Sequence, residues 1–199
     1  MTYNTSVEEK LLQIIKKFPG VGQRQASRIV YFLRTLKNDE FNTFVSTLKN
    51  IKENTSYCSE CFCLISSNSA TCDFCGKNKD HSKLLVVEKD IDKDVMVSSH
   101  YSGDVFILGS LFSVIKNTIL NPERLVSLKD KVLKNNYEEI ILAFSDTKEG
   151  QFTTDRLEDE FKKYGYKGKI SVLGRGISTG AEIEYLDPKT IESALSNRK

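Results

Sequence analysis

The sequence predicts an α+β protein built from several parts, and three changes of residue pattern along the chain support that prediction. Apolar residues recur at helical spacing over residues 7–18, 24–36 and roughly 40–52, so the N-terminal quarter should be helical. Residues 55–80 lose this periodicity and are rich in Cys, Ser, Asn, Lys and Asp, as expected of a small module without its own core. From about residue 83, short apolar runs alternate with helical or polar segments, which predicts a mainly parallel sheet covered on both faces.

The chain therefore divides into four predicted parts, and its 199 residues suit one main domain with smaller companions. These parts are a helical region at residues 1–54, a cysteine module at 55–80, an α/β domain at 81–177 and a C-terminal segment at 178–199. In the α/β domain, LLVVE, DVFIL, EEIILAF and KISVL read as buried strands. The clearest helices are PERLVSLKDKVLKN and TTDRLEDEFKKYG, the second beginning at Thr153, and PKTIESALSNRK predicts a short final helix or tail.

The composition excludes two simple explanations of function. Charged residues make up 28% of the chain, but the net charge is only +2, so any electrostatic argument for nucleic-acid binding must be local. No run of 18 apolar residues occurs, and the N-terminus lacks a basic region followed by an apolar stretch. We therefore expect a soluble, cytoplasmic protein with no membrane partner.

A tight turn joins the first two predicted helices in LLQIIKKFPGVGQRQASRIVYFL. Pro19 cannot continue the first helix, while Gly20 and Gly22 allow positive φ and a close backbone approach. The unpaired amides of such a turn, together with the positive end of the second helix, can bind a phosphate oxygen without reading a base. The turn therefore predicts a phosphate-binding site.

Basic residues surround this turn. Arg24 and Arg28 lie one helical turn apart, and Lys16 and Lys17 precede the turn. Residues 7–37 carry seven Lys or Arg against two acids, so the local balance is +5. The alternative is an ordinary αα-hairpin whose basic residues form a solvated face. The stretch resembles the helix-hairpin-helix motif of sequence-independent DNA-binding proteins, whose affinity should fall steeply with salt.

Four of the five cysteines form two CxxC pairs. Cys58 and Cys61 are followed after ten residues by Cys72 and Cys75, a spacing that suits four thiolates around one tetrahedral zinc ion. The metal would be structural, because it would close a segment that could not otherwise fold. Cys63 could compete as a ligand, and a redox dithiol is the alternative for either pair. Gly76, which follows the second pair, should let a backbone amide approach a thiolate.

Acidic residues follow two of the predicted strands. Glu88 ends the first strand of the α/β region, and a turn carrying Asp146 and Glu149 follows a later strand, ahead of a polar helix. Parallel sheets place ligand sites at the carboxyl ends of neighbouring strands. Carboxylates from two strand ends could hold Mg²⁺ for phosphoryl transfer, which is one hypothesis for this edge.

The same residues resemble the Toprim fold of topoisomerases and primases. That fold pairs a strand-end Glu with an Asp-x-Asp turn followed by a basic residue, Glu and Gly. Here Ser145 and Thr147 occupy the two metal-binding aspartate positions, while Glu149 and Gly150 keep the shape of the scaffold. The resemblance therefore favours a protein without catalysis. The alternative is a metal-dependent nuclease or primase-like enzyme that uses the three carboxylates.

The order of the parts resembles one family over nearly the whole chain, the bacterial recombination mediator RecR. The later segment GRGISTGAEIEYLD supports the resemblance, because a Gly-rich stretch like Arg175–Gly180 follows the last strand, and Thr153 matches a family threonine. The sequence departs at Ser145–Asp146, where family members typically have Asn-Pro. It departs again at Ile177–Ala181, where they usually have Ile or Val followed by Pro-Val-Gly-Gly.

The resemblance implies a function without catalysis. RecR proteins work with RecO, and in some settings with RecF, to help load RecA onto SSB-coated single-stranded DNA during gap repair. The resemblance also implies a homo-oligomeric ring with the hairpin near the DNA and one structural zinc ion per chain.

It further implies three groups of site residues. The four paired cysteines would be the zinc ligands, and Glu88 and Glu149 would be partner-facing or structural groups of the Toprim domain. The DNA contacts would come from the hairpin: Arg24, Arg28, Lys16, Lys17, Gly20 and Gly22.

Overall fold

The computed structural model describes residues 5–66, 68–77, 80–112, 121–174 and 176–198. The chain divides into two compact units, Met1–Thr55 and Ser56–Lys199. Within the described residues, no helix combines the length and the apolar composition needed to cross a membrane.

The first unit contains three helices, as the periodicity predicts: α1 (Thr5–Ile15), α2 (Gln23–Thr35) and α3 (Asn38–Glu53). Its small core is formed by Ile15, Ala26 and Val30. Helix α1 ends earlier than the predicted limit of residue 18, because the chain tightens there through i→i+3 hydrogen bonds and Pro19 follows. Helix α3 buries none of its residues.

The second unit begins with a small two-stranded sheet and continues with a four-stranded one. Strands β1 (Thr55–Tyr57) and β2 (Leu64–Ser66) pair in the cysteine module. The larger sheet contains β3 (Asp80–Val87), β4 (Gly103–Ile107), β5 (Glu139–Ala143) and β6 (Lys169–Val172), in the order β4-β3-β5-β6. All three of its pairings are parallel, so the predicted mainly parallel sheet is confirmed.

Four helices accompany the larger sheet. They are α4 (Asp90–Ser98), α5 (Pro122–Asn135), α6 (Lys148–Lys163) and the final α7 (Pro188–Ser196), which follows a single 3₁₀ turn at Ile183–Tyr185. Helix α5 matches its prediction, and α7 confirms the short final helix.

The sheet is buried on both faces, and alternate residues of β3 belong to different layers. Leu84 and Val86 lie in a core cluster with apolar residues of two helices: Leu128 and Val132 of α5, and Leu157 and Phe161 of α6. Leu85 and Val87 lie in a second cluster that contains four cysteines: Cys58, Cys61, Cys63 and Cys72. One face of the sheet is therefore covered by α5 and α6, and the other face is packed against the cysteine module and Met96 of α4.

Helix α6 begins earlier than predicted, at Lys148 instead of Thr153. Thr147 is its N-cap, because the Thr147 hydroxyl accepts a hydrogen bond from the Gly150 amide at 3.1 Å. Glu149 therefore lies in the first turn of the helix and not in a turn ahead of it, as the sequence reading had placed it.

Candidate metal centre and nucleic-acid interface

The two CxxC pairs converge on one point in the cysteine module. The Sγ atoms of Cys58, Cys61, Cys72 and Cys75 all lie within 4.8 Å of one another, and none of these residues forms a disulfide. Thiolates around tetrahedral zinc would be about 3.8 Å apart, given a Zn–S bond of about 2.3 Å. The donor set and its spacing therefore fit a structural zinc ion, with all four positions filled by the chain.

Backbone hydrogen bonds build the first half of this site. The Cys58 amide donates to the Cys63 carbonyl at 2.8 Å, and the Phe62 amide donates to the Cys58 carbonyl at 2.9 Å. Phe62 has a φ of 63°, the left-handed conformation that reverses the chain after Cys61. The turn brings Cys58 and Cys61 to the same side.

Two amides donate to sulfur atoms of the cluster. The Cys72 amide lies 3.4 Å from the Cys58 Sγ, and the Cys75 amide lies 3.4 Å from the Cys72 Sγ. Such contacts stabilise negative charge on sulfur. The amide of Gly76, the residue after the second pair, donates instead to the carbonyl of Cys72 at 3.1 Å.

Cys63 is not a member of the four-thiol group. It is 1% exposed and packs in the core cluster between the module and the sheet. Burial raises the pKa of the Cys63 thiol to about 11, which favours the neutral thiol over the thiolate that metals bind.

The three predicted carboxylates at the end of the sheet have separate surroundings. Glu88 follows β3 and forms an ion pair with Lys89 at 3.1 Å. Asp146 accepts a hydrogen bond from the Gln151 side chain at 2.6 Å. Among the described residues, the four cysteines are the only group of three or more His, Cys, Asp or Glu side chains placed to hold a metal ion. Glu88, Asp146 and Glu149 do not form such a group.

Gly150 is required by the close approach of two backbone segments at this edge. A Cβ atom on Gly150 would lie 2.0 Å from the carbonyl oxygen of Ser145. This contact lets the chain turn directly from β5 into α6. The glycine therefore belongs to the scaffold of the turn.

Thr153 is a second scaffold residue, and the sequence indicated it only through the family resemblance. Its side chain is fully buried, accepts from the Phe112 amide at 2.9 Å and donates to the Glu149 carbonyl at 2.7 Å. The hydroxyl thus joins the loop after β4 to the first turn of α6. No other feature of the local sequence marks Thr153 as buried, because it stands between Phe152 and a second threonine, Thr154.

A cavity of about 830 Å³ lies beyond the carboxyl ends of β5 and β6, against α6 and α7. Its charged lining is mostly acidic: Asp146, Asp155, Glu158 and Glu192, with Lys189 as the single base among the residues that line it. The sequence reading did not find this site. Its acids come from three separate segments, so no local motif marks them.

Two features of the hairpin in the first unit bear on the predicted phosphate site. Gly20 has a φ of 73° with no atom near its missing Cβ, so its conformation and not lack of space requires glycine. Gly22 is the N-cap of α2, whose first turn contains no acidic residue. The helix therefore presents its amides toward the turn without a carboxylate to neutralise them.

The predicted basic residues are all exposed around this turn. Arg24 and Arg28 lie on α2, and Lys16 and Lys17 lie between α1 and the turn. None of the four forms an ion pair with a residue that the structure describes, whereas Arg34 is paired with Glu8 at 2.7 Å. Their charges are therefore available to an anionic partner.

The Gly-rich segment after β6 is only partly described. Arg175 lies outside the described residues, and Gly180 has a φ of 83°. From residue 176 onward, none of the described residues is buried.

Comparison with known proteins agrees with this architecture. Residues 82–165 match the Toprim domain family, and residues 176–199 match the family described as RecR, C-terminal. The fold and the cysteine cluster thus define a Toprim-domain protein with an attached four-cysteine module.

Similarity to whole proteins extends over nearly the full length. The chain is 35% identical over 201 residues to recombination protein RecR of Pelagibacter ubique, covering 98% of this chain and 95% of that protein. It is 31% identical over 192 residues to recombination protein RecR of Brachyspira hyodysenteriae, covering 96% and 94%. For the Chlamydia trachomatis serovar D protein of the same name the identity is 32%, covering 95% and 94%. The chain belongs to the RecR family of recombination proteins.

Proposed function

We propose that this protein is a non-enzymatic DNA-binding mediator of recombinational repair in the cytoplasm. It acts with RecO, and in some settings RecF, to promote RecA loading on SSB-coated single-stranded DNA at gaps. The observation that carries the proposal is the similarity to recombination protein RecR over 96% of the chain, which includes every predicted part. The four-part division at residues 1–54, 55–80, 81–177 and 178–199 is part of the same proposal.

The hairpin is the proposed DNA-binding site. Two exposed arginines on the first turns of α2, two exposed lysines and the free helix N-terminus support phosphate binding. None of these groups reads a base edge, so binding should be independent of sequence. Gly20 and Gly22 shape the turn that presents the amides.

A single structural zinc ion per chain is the proposed cofactor. Cys58, Cys61, Cys72 and Cys75 would hold it, and their convergence within 4.8 Å supports this assignment. When bound, the ion would fix the two CxxC turns and contribute its binding free energy to folding. It has no open coordination position and therefore no proposed catalytic role.

The carboxyl edge of the Toprim sheet is the proposed surface for a protein partner. The mostly acidic cavity beside α6 presents negative charge at this edge, where Glu88 follows β3 and Glu149 lies in the first turn of α6. A basic segment of RecO would complement that charge. We further propose that copies of the chain assemble into a ring around or beside the DNA.

A reconstituted assay separates the mediator from the enzyme alternative. Labelled gapped DNA coated with SSB is mixed with RecA, RecO and this protein, and RecA filament formation is followed together with cleavage or synthesis in Mg²⁺ or Mn²⁺. We expect faster RecA loading and unchanged DNA. Cleavage or synthesis that Glu88→Gln abolishes would contradict the proposal, and so would RecA loading at the same rate with and without the protein.

A further inference from the structure

Arg124 is a buried cation between the cysteine module and the Toprim sheet. It lies in the first turn of α5 and is 8% exposed. Within the described part of the chain, no carboxylate forms an ion pair with it. A buried cation is costly without partners, and a cation is also unfavourable at the positive end of a helix. Its position therefore requires specific compensating contacts.

The compensating contacts come from both the module and the sheet. Nη1 of Arg124 donates a hydrogen bond to the carbonyl of Ile107 at 2.8 Å, at the end of β4. The guanidinium carbon lies 4.8 Å from the ring centroid of Tyr57 and 5.2 Å from that of Phe62. These distances allow cation–π interaction with two rings that lie beside Cys58 and Cys61 in the chain.

The module reaches the same residue of β4 from its own side. The amide of Ile107 donates to the carbonyl of Cys61 at 2.8 Å. The Phe62 ring also packs against Phe106, with ring centroids 5.3 Å apart. The Cys61 carbonyl therefore accepts a hydrogen bond from the N–H of Ile107, while Arg124 donates a hydrogen bond to the Ile107 carbonyl.

The contact continues into the loop at the carboxyl edge of the sheet. A Cβ atom on Gly109 would lie 2.7 Å from Nη1 of Arg124, so the guanidinium occupies space that a side chain would need. The amide of Gly109 in turn donates to the carbonyl of Glu88 at 2.8 Å. Arg124 is thus in contact with the backbone beside the proposed partner surface.

We propose that Arg124 couples the metal state of the cysteine module to the carboxyl edge of the Toprim sheet. When the four thiols are held together, the Cys61 carbonyl and the Phe62 ring are fixed against Ile107 and Arg124. When the metal is lost, the turn that places both groups is released, and the backbone at residues 105–109 opens more often. Arg124 is a positioning residue in this proposal, which rests on the proposed zinc site.

Hydrogen exchange measured by mass spectrometry tests the coupling, with Arg124→Leu as the main variant. Leu keeps apolar volume but removes the donor to Ile107 and both ring contacts. We expect exchange at residues 105–109 to become about tenfold faster, since the lost contacts each contribute to local stability. Lys129→Leu is the matched control, because Lys129 also lies on α5 and covers a ring, that of Tyr164 at 4.6 Å, away from the module. It should exchange like the wild-type protein at residues 105–109.

Chelation of the wild-type protein supplies the second arm. We expect faster exchange at residues 57–63 and at residues 105–109 together. Faster exchange at residues 57–63 alone would overturn the coupling, and so would wild-type exchange in Arg124→Leu. If Arg124→Leu does not fold, Arg124→Lys replaces it, because Lys keeps the charge but lacks the planar group that stacks between two rings. It should show the same change at smaller size, and wild-type exchange would again overturn the proposal.

Metal content is measured on the same samples. A wild-type protein without zinc would contradict the proposed metal site. The difference in hydrogen exchange at residues 105–109 between Arg124→Leu and Lys129→Leu would still decide whether Arg124 stabilises the contact between the module and the sheet.

Discussion

The missing side chain of Gly150 decides where α6 begins. The Ser145 carbonyl occupies the place of a Cβ atom, and the Gly150 amide is bonded to the Thr147 hydroxyl at 3.1 Å. Any larger residue must push the end of β5 away from the helix. The Toprim resemblance places a glycine at this position, but only the structure shows why the position requires one.

We predict that Gly150→Ala lowers the free energy of unfolding by about 2 kcal/mol or more, because the contact with Ser145 involves backbone that cannot move aside cheaply. Urea unfolding followed by circular dichroism measures this change. Gly174→Ala is the control, since its Cβ would meet no atom within 4 Å, and it should change stability by less than about 0.5 kcal/mol. Equal effects of the two substitutions would show that the close approach is not what selects glycine.

Cys63 provides a second prediction for a single residue. Cys63→Ala should retain about one zinc ion per chain, whereas Cys61→Ala should lose it, because only Cys61 belongs to the converging thiols. Native mass spectrometry of protein purified without added metal measures the content. Loss of zinc from Cys63→Ala, with retention in Cys61→Ala, would mean that the metal uses a different set of sulfurs.

The hairpin is the element on which DNA binding should depend. We predict that Arg24→Ala combined with Arg28→Ala weakens binding to all DNA sequences and lowers the salt slope by up to roughly 0.7 to 0.9 for each lost phosphate contact. Fluorescence anisotropy over a range of salt concentrations measures both quantities. The single variant Arg34→Ala is the control, because it removes a helix α2 charge that is already paired with Glu8.

Arg34→Ala should alter affinity and slope less than half as much as the double variant does. Unchanged affinity and salt slope in the double variant would show that these arginines do not contact DNA. A decrease confined to some sequences would instead indicate direct contact with bases.

Among the elements, periodicity was sufficient where apolar spacing is regular. It predicted α5 within its observed limits and all four strands of the larger sheet to within a few residues. It misplaced the start of α6, because residues 148–152 contain a glycine and few apolar positions, and their helical state depends on the Thr147 cap. At the N-terminus of α6, capping and tertiary contacts thus outweigh the apolar periodicity of the sequence.

At the scale of the whole molecule, an apolar stripe on α3 bears on assembly. Its five large apolar residues are 41–60% exposed: Phe41, Phe44, Val45, Leu48 and Ile51. We predict a solution mass above the 22.6 kDa of one chain, because such a stripe is normally covered in an oligomer.

Sedimentation at several concentrations, with and without DNA, measures the mass. Leu48→Glu should lower it, while Ser46→Glu on the opposite face of α3 should not. A wild-type mass of one chain at every concentration would contradict the ring, and an unchanged mass of Leu48→Glu would place the contact elsewhere.

The spacing of the cysteines also predicted which four converge, but the sequence could not predict what the cysteine module packs against. That packing depends on Leu85 and Val87, which face the module, while their neighbours Leu84 and Val86 face the helices. All four residues are apolar, and a run of this kind does not distinguish the two faces. Arg124 was hidden for a similar reason, since a charged residue near the start of a helix reads as solvent-exposed.

The sharing of one core by the module and the sheet has a consequence for synthesis. The cysteine turn leaves the ribosome first, but its apolar cover comes from β3, β4 and finally Ala143 of β5. Until the chain has grown past residue 143, the thiols are not fully buried and remain accessible to oxidants and to other nascent chains. Early metal capture would protect them, so zinc supply during translation should influence how much of this protein reaches its folded state.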